Sequence, residues 1–266
     1  MSTRSQEEKG SAFRALHEGD PFLIPNPWDA GSARVLEALG FQALATTSSG
    51  FAFTRGLLDG GVTLDDVVSH VADLASATSL PVSVDLENGF GRDPEIAARA
   101  IEAVAAAGAV GASIEDWDRD EKVLYEPGLA AERVAAAAEA RAAPGFDFML
   151  TARAENHIRG NPDLDDTIAR LRTYEEAGAD VLYAPGLATV EDIAAVCEAV
   201  SKPVNVLGLA HLDLAQVYEA GAQRVSVGGG LAWVAVGAFA EAAERLRDGH
   251  LSALDARVDL KRWLAD

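Results

Sequence analysis

The chain has 266 residues, 49% of them hydrophobic, with 22 basic against 42 acidic side chains and a formal charge of −20. This suits one large or two small soluble α/β domains and excludes a disordered chain. The charge disfavours nucleic acid and anionic membranes as partners, so an anionic substrate must meet a local cation. The single cysteine, Cys197, excludes an internal disulfide framework and fits a reducing cytoplasm. In the helical pattern EDIAAVCEAV it reads as a small buried hydrophobe. MSTRSQEEKG carries no apolar signal core, and the run LAWVAVGAFA is too short to span a bilayer.

In chain order, residues 1–18 read as an extra helix covering one end of the fold. Strand patterns follow at FLIPN (22–26), QALATTS (42–48), PVSVDLE (81–87) and GASIED (111–116). Four more lie at FMLTAR (148–153), DVLYAP (180–185), PVNVLG (203–208) and RVSVG (224–228). Helical patterns between them include 63–78, 94–107, 129–142, 164–177, 189–200 and 231–247. The phrases EALGFQALATT, AAAGAVGASIE, EEAGADVLYAP and YEAGAQRVSVG repeat one joint: an alanine-rich helix end, a glycine at C′, then a strand. Eight strands alternating with helices predict a (β/α)8 TIM-type barrel over 19–247, with 248–266, containing Trp263, as a C-terminal tail. An open doubly wound sheet is the competing arrangement.

Strand side chains alternate faces, so Ser83, Asp85 and Glu87 share one face while Val82, Val84 and Leu86 share the other. The same alternation groups Ser113 with Glu115 and Thr151 with Arg153, and gives Tyr183 and Asn205 similar late positions. Polar residues thus collect at the C-terminal strand ends, where barrel enzymes carry their chemistry. Two carboxylates two strand rises apart repel by roughly 2 kcal/mol at an effective dielectric near 20. Protonation, an arginine or a hard cation must compensate, and an all-oxygen set favours Mg²⁺ or Mn²⁺. The blander alternative is that Asp85 and Glu87 cap a helix or pair with Arg153. Asp93-Pro94-Glu95 already reads as the next helix's own cap, which weakens the first half of it.

VDLENGFG resembles the acid-x-acid-x-G-[FY]-G strand of the isocitrate lyase/phosphoenolpyruvate mutase superfamily. AGAVGASIEDW, FMLTARAE and NPWDAGSARVLEALGFQALATTSSG resemble three further motifs of that superfamily, in order, across roughly residues 20–245. The resemblance implies a Mg²⁺-dependent barrel, Mn²⁺ being possible, acting on a small carboxylate substrate. It implies Asp85, Glu87 and Glu115 as the metal cluster, with Arg153 holding the substrate carboxylate. Ser48, Ser49 and Gly50 would donate to substrate oxygens, and Asp59 would stand near the metal. A homodimer or homotetramer with an exchanged C-terminal helix is implied as well. Where the lyases carry a K-[KR]-C-G-H loop, this chain reads DRDEKVLYEPG, leaving Lys122 and Tyr125 as the loop's proton-transfer candidates. Isocitrate lyase activity itself is therefore not expected.

These features predict a carbon–carbon lyase or decarboxylase of a small 2-oxo or 2-hydroxy acid, working through a metal-stabilised enolate. Phosphonopyruvate-type P–C hydrolysis or mutation is the second reading, and a non-catalytic oxo-acid binder the third. Residues 117–128 read as a lid, with Tyr183 and Asn205 orienting substrate. His157 and His211, beyond strand ends, read as structural, and the glycines at 228–230 as a tight turn.

Overall fold

The computed structural model describes residues 4–143 and 145–264. Helix α1 (Gln6–Glu18) comes first, capped reciprocally by Ser5 and Glu8. There follow β1 (Phe22–Ile24), α2 (Ala30–Ala38), β2 (Leu44–Ala45), α3 (Ser48–Thr54), α4 (Leu64–Ala77), β3 (Val82–Asp85), α5 (Pro94–Ala106) and β4 (Gly111–Glu115). A small hairpin, β5 (Trp117–Asp118) against β6 (Val123–Leu124), occupies the loop before α6 (Pro127–Ala140). Then come β7 (Met149–Arg153), α7 (Leu164–Glu176), β8 (Val181–Tyr183), α8 (Val190–Ala199), β9 (Val204–Leu207), α9 (Leu214–Glu219), β10 (Arg224–Ser226) and α10 (Gly230–Arg247). A 3₁₀ turn at Leu251–Ala256 and α11 (Lys261–Leu264) end the described chain.

Eight of these strands pair in parallel in the order β1-β10-β9-β8-β7-β4-β3-β2. The Ala45 amide donates to the Pro25 carbonyl at 3.1 Å, joining the two ends of that order and closing the sheet into a barrel. The open-sheet alternative is thereby rejected. Outward residues such as Val84, Ile114, Leu150, Leu182 and Val206 bury against the surrounding helices. Phe22, Ile24, Met149 and Val181 fill the lower lumen, and Phe13 of α1 packs onto them. That fully buried phenylalanine contributes roughly 2–3 kcal/mol and explains why a helix precedes the first strand.

Two sequence readings change. The run 42–48 keeps only Leu44–Ala45 as strand, because Thr47 caps a helix not foreseen, α3, which opens at Ser48. The run 81–87 ends as strand at Asp85, and Glu87 turns away with φ +48°.

The last barrel helix, α10, differs from the others. It buries only Ala232, while Trp233, Val234 (71% exposed) and Phe239 (74% exposed) face outward. The tail folds back on α2, where an Arg34 guanidinium N–H meets the Leu264 carbonyl at 3.1 Å. Residues 1–3 and 265–266 of the two predicted terminal segments lie outside the described residues. No described helix is long and apolar enough to cross a membrane.

Candidate active site

Parallel register carries the lumen-facing groups round the barrel. Glu115 pairs with Arg153, Arg153 with Tyr183, and Tyr183 with Asn205 as Cα neighbours. Asp85 lies on the adjoining strand, opposite Ser113. Arg153 is the hub. Its Nη1 donates to Asp85 Oδ1 at 3.0 Å, its Nη2 pairs with Glu115 Oε2 at 3.0 Å, and Glu155 Oε1 accepts from both Nε (3.1 Å) and Nη2 (2.6 Å). The guanidinium also stands 5.2 Å from the Tyr183 ring centre. Asp85 Oδ2 accepts the Ser48 backbone N–H at 3.2 Å, at the first turn of α3.

Glu87 reaches the same region from the turn after β3. Its carboxylate receives Arg119 Nη1 at 3.2 Å on both oxygens, so Arg119 of the β5–β6 hairpin clasps it. Burial, then the charges of Asp85 and Asp59, push the Glu87 carboxyl up to about 7 against the pull of Arg119. Burial, then Glu155 and Asp85, likewise raise Glu115, with Arg153 and Arg159 opposing. The positive φ of Glu87, unusual for a side-chain-bearing residue, is fixed from below. Arg133 of α6 donates to the carbonyls of Asn88, Gly91 and Arg92, and the Asn88 amide donates to Tyr125 Oη at 2.9 Å. A further buried group, Asp116, accepts Arg170 Nη1 at 3.0 Å, Tyr174 Oη at 2.5 Å and the Glu155 amide at 2.8 Å, and so aligns β4 with β7.

These groups open on a cavity of about 170 Å³ lined by Ser48, Ser49, Asp59, Asp85, Arg153 and Tyr183, with Asn205 deeper down. Above it, Glu87, Glu115, Arg119, Lys122 and Arg159 line a contiguous vestibule that shares Ser48, Asp59 and Arg153.

Several expectations need correction. Gly50 does not face either cavity, and its N–H caps α3 through Thr47 Oγ1 at 3.3 Å. Tyr125 is 1% exposed after the β5–β6 hairpin, its ring covered by the Arg133 guanidinium at 4.5 Å, and lines neither cavity. The alternative pairing of the strand acids with Arg153 holds for Asp85 but not for Glu87, which pairs with Arg119, and Glu115 and Glu155 join Asp85 on Arg153. Asn205 spends both ends of its amide on Arg224 and Ser226. The reading of His157 and His211 as structural needs no correction: His211 lies at the surface on the Ala188 carbonyl, and neither histidine lines the two cavities. Sequence reading assigned no role to Arg119, Arg133 or Arg159, because apart from the Arg159–Glu155 pair, four positions apart, their hydrogen-bond and ion-pair partners lie 32–57 positions away. Glu155 stood within the quoted ARAE motif and could have been singled out from it.

The site can be tested for a metal on its donors. Asp85, Glu87 and Glu115 offer hard oxygens, and the carboxyls of Glu87 and Glu115 are raised by burial first and by neighbouring acids second, which a bound cation would offset. Among the described residues, however, no three acids converge in ligand geometry. Arg153 lies between Asp85 and Glu115, and Arg119 lies on Glu87. The donor set fits Mg²⁺; the compact three-acid cluster expected from the sequence is replaced by arginine-paired carboxylates.

The model of the phosphoenolpyruvate phosphomutase family matches residues 13–247. A solved structure from Burkholderia cenocepacia J2315 superposes with a TM-score of 0.94 at 50% identity, covering 98% of this chain and 97% of that one. The 2-methylisocitrate lyase of Halalkalibacterium halodurans is 32% identical over 233 residues, 86% of this chain and 74% of that protein. 2,3-Dimethylmalate lyase, a phosphoenolpyruvate mutase/isocitrate lyase superfamily member, superposes at 0.86 with 28% identity over 96% and 94% of the chains. Phosphonopyruvate hydrolase, solved with oxalate and Mg²⁺, superposes at 0.84 with 26% identity over 94% and 91%. A barrel mouth with paired acids around one arginine, and a family match over nearly its whole length, identify the chain as a member of the phosphoenolpyruvate phosphomutase family, among the lyases of the isocitrate lyase/phosphoenolpyruvate mutase superfamily.

Proposed function

We propose that the protein is a Mg²⁺-dependent lyase or decarboxylase that breaks a carbon–carbon bond in a small 2-oxo or 2-hydroxy carboxylic acid. The observation that carries this reading is the meeting, in one cavity, of Asp85 with Arg153 and the Ser48 amide, beside Glu87 at the vestibule. Asp85 and Glu87 would hold the ion, with Glu115 reaching it through water. Bound Mg²⁺ supplies Lewis acidity towards the substrate's carbonyl oxygen. Arg153 presents a planar fork to the substrate carboxylate, exchanging it for one of its own acids. The Ser49 hydroxyl orients the substrate from the wall. The lid residues 117–128 exclude water, and Lys122, which borders the vestibule, donates the proton that the carbon takes up when its bond breaks.

A second reading, P–C cleavage of a phosphonopyruvate-type substrate, draws on Arg119, Lys122 and Arg159, which with Arg153 make four cations round the vestibule and suit a dianionic group. A third, a binder without turnover, draws on the burial of Tyr125, which leaves the lid with one proton-transfer candidate. Thermal melts with Mg²⁺ and incubation with a panel of 2-oxo acids separate them. We expect Mg²⁺ to raise the melting temperature of the wild type and not of Asp85→Ala, and pyruvate to exchange deuterium at C3. Phosphate release from phosphonopyruvate would favour the second reading, and Mg²⁺-linked stabilisation surviving Asp85→Ala would remove that ligand. The outward apolar face of α10 supports a further proposal, exchange of this helix between two or four copies of the chain. Light scattering on the purified protein tests it, and a monomer at micromolar concentration would refute it.

A further inference from the structure

Below the mouth the lumen turns polar where barrel interiors are ordinarily aliphatic. Arg224, on β10, borders this lower part of the cavity and is 5% exposed. Its Nε donates to Asn205 Oδ1 at 2.7 Å, and its Nη2 reaches across the barrel to Thr151 Oγ1 at 3.1 Å. Nη1 meets Nε2 of His17, rising from α1, at 3.1 Å. A guanidinium only donates, so His17 Nε2 accepts, and its proton sits on Nδ1 facing the Phe13 carbonyl at 2.8 Å. Burial, with the charge of Arg224, pushes His17 down to about 3, so this neighbour stays neutral.

Every one of these partners is uncharged. Arg153 above has three carboxylates, whereas among the described residues no acid pairs with Arg224. Buried charges are ordinarily paired, and this one lacks its counter-ion. Burial lowers its pKa to about 10, which still leaves the group charged at neutral pH. Of its five N–H groups three are engaged, leaving one on each terminal nitrogen of a guanidinium fixed against the cavity.

The geometry points to a second anion-binding position at the floor of the barrel, where Arg224 takes one small planar oxyanion, of the carboxylate or nitrate class, without a metal. The Ser83 and Ser226 hydroxyls stand on the wall of the same cavity, and its volume of about 170 Å³ limits the ligand to a few heavy atoms. The position shares the cavity of the proposed active site but depends on neither the ion nor turnover.

The test uses the full chain in EDTA, titrated with formate and separately with nitrate, at ionic strength held by a bulky sulfonate buffer salt. Wild type and Arg153→Lys should both show a saturable rise in melting temperature. Arg224→Met should raise the formate dissociation constant roughly tenfold, as expected for losing a hydrogen bond from a charged donor. Because that variant can fail to fold, Asn205→Asp supplies an internal carboxylate beside Nε. It should melt at or above wild type without added anion and lose the formate response. Asp85→Ala should keep the response, which separates this proposal from failure of the metal site. No saturable shift in wild type, a full shift in Asn205→Asp, or loss of the shift in Arg153→Lys alone would each overturn the floor position.

Discussion

Replacing Arg133 by methionine removes the buried cation that holds the turn carrying Glu87. The side chain is 1% exposed, donates to the carbonyls of Asn88, Gly91 and Arg92, and covers the Tyr125 ring at 4.5 Å. Three hydrogen bonds from a charged donor at about 1.5 kcal/mol each, and one desolvated cation–π contact at about 1 kcal/mol, sum to roughly 5–6 kcal/mol. Burial opposes the charge, as the lowered Arg133 pKa shows. Relief of that cost returns about 2 kcal/mol, leaving a loss of about 4 kcal/mol. For a chain of this size that is a fall of about 8 °C in melting temperature. Lysine, with one compact ammonium, should recover less than half of it. Circular dichroism melts measure the first effect, and Mg²⁺ titration the second, because a freed turn no longer presents Glu87. A fall of less than 3 °C would refute the energetic argument. A full fall with unchanged Mg²⁺ affinity would refute the claim that Arg133 positions Glu87.

Glu87 binds its proton more tightly folded than unfolded, since its carboxyl is pushed up to about 7 from an ordinary 4.5. Its contribution is therefore complete below about pH 4.5 and is lost as pH rises towards 7, costing up to about 3 kcal/mol of stability across that window. Urea melts of wild type against Glu87→Gln should differ by this falling slope, and parallel slopes would contradict it. In the same window, apparent Mg²⁺ affinity should rise with pH and level off above about 7, which calorimetry can follow. Lys122→Ala should lower turnover by roughly 10²-fold or more with little change in melting temperature, as for a lost proton donor. Tyr125→Phe should do the reverse, costing about 1 kcal/mol of stability with activity nearly kept. An inactive but stable Tyr125→Phe would restore that residue to the chemistry.

Much of this was legible in the sequence because it rests on local periodicity. The glycine-ended helices and eight apolar runs gave the barrel, and strict alternation put Asp85, Glu115 and Arg153 on one inner face, where the register now aligns Glu115 with Arg153. Alternation also assigned Glu87 to that face, and there it misled: the strand ends at Asp85, and a left-handed turn held by Arg133 delivers Glu87 instead. Only the tertiary structure paired Asp85, Glu87 and Glu115 with Arg153 and Arg119, buried Tyr125 behind the β5–β6 hairpin, turned the apolar side of α10 outward, and left Arg224 without an acid among the described residues. The division has a physical cause. Backbone periodicity is a property of neighbours in sequence. Which charges meet in a closed lumen depends on strand tilt and on loops that fold back from tens of residues away, and no short-range pattern encodes either.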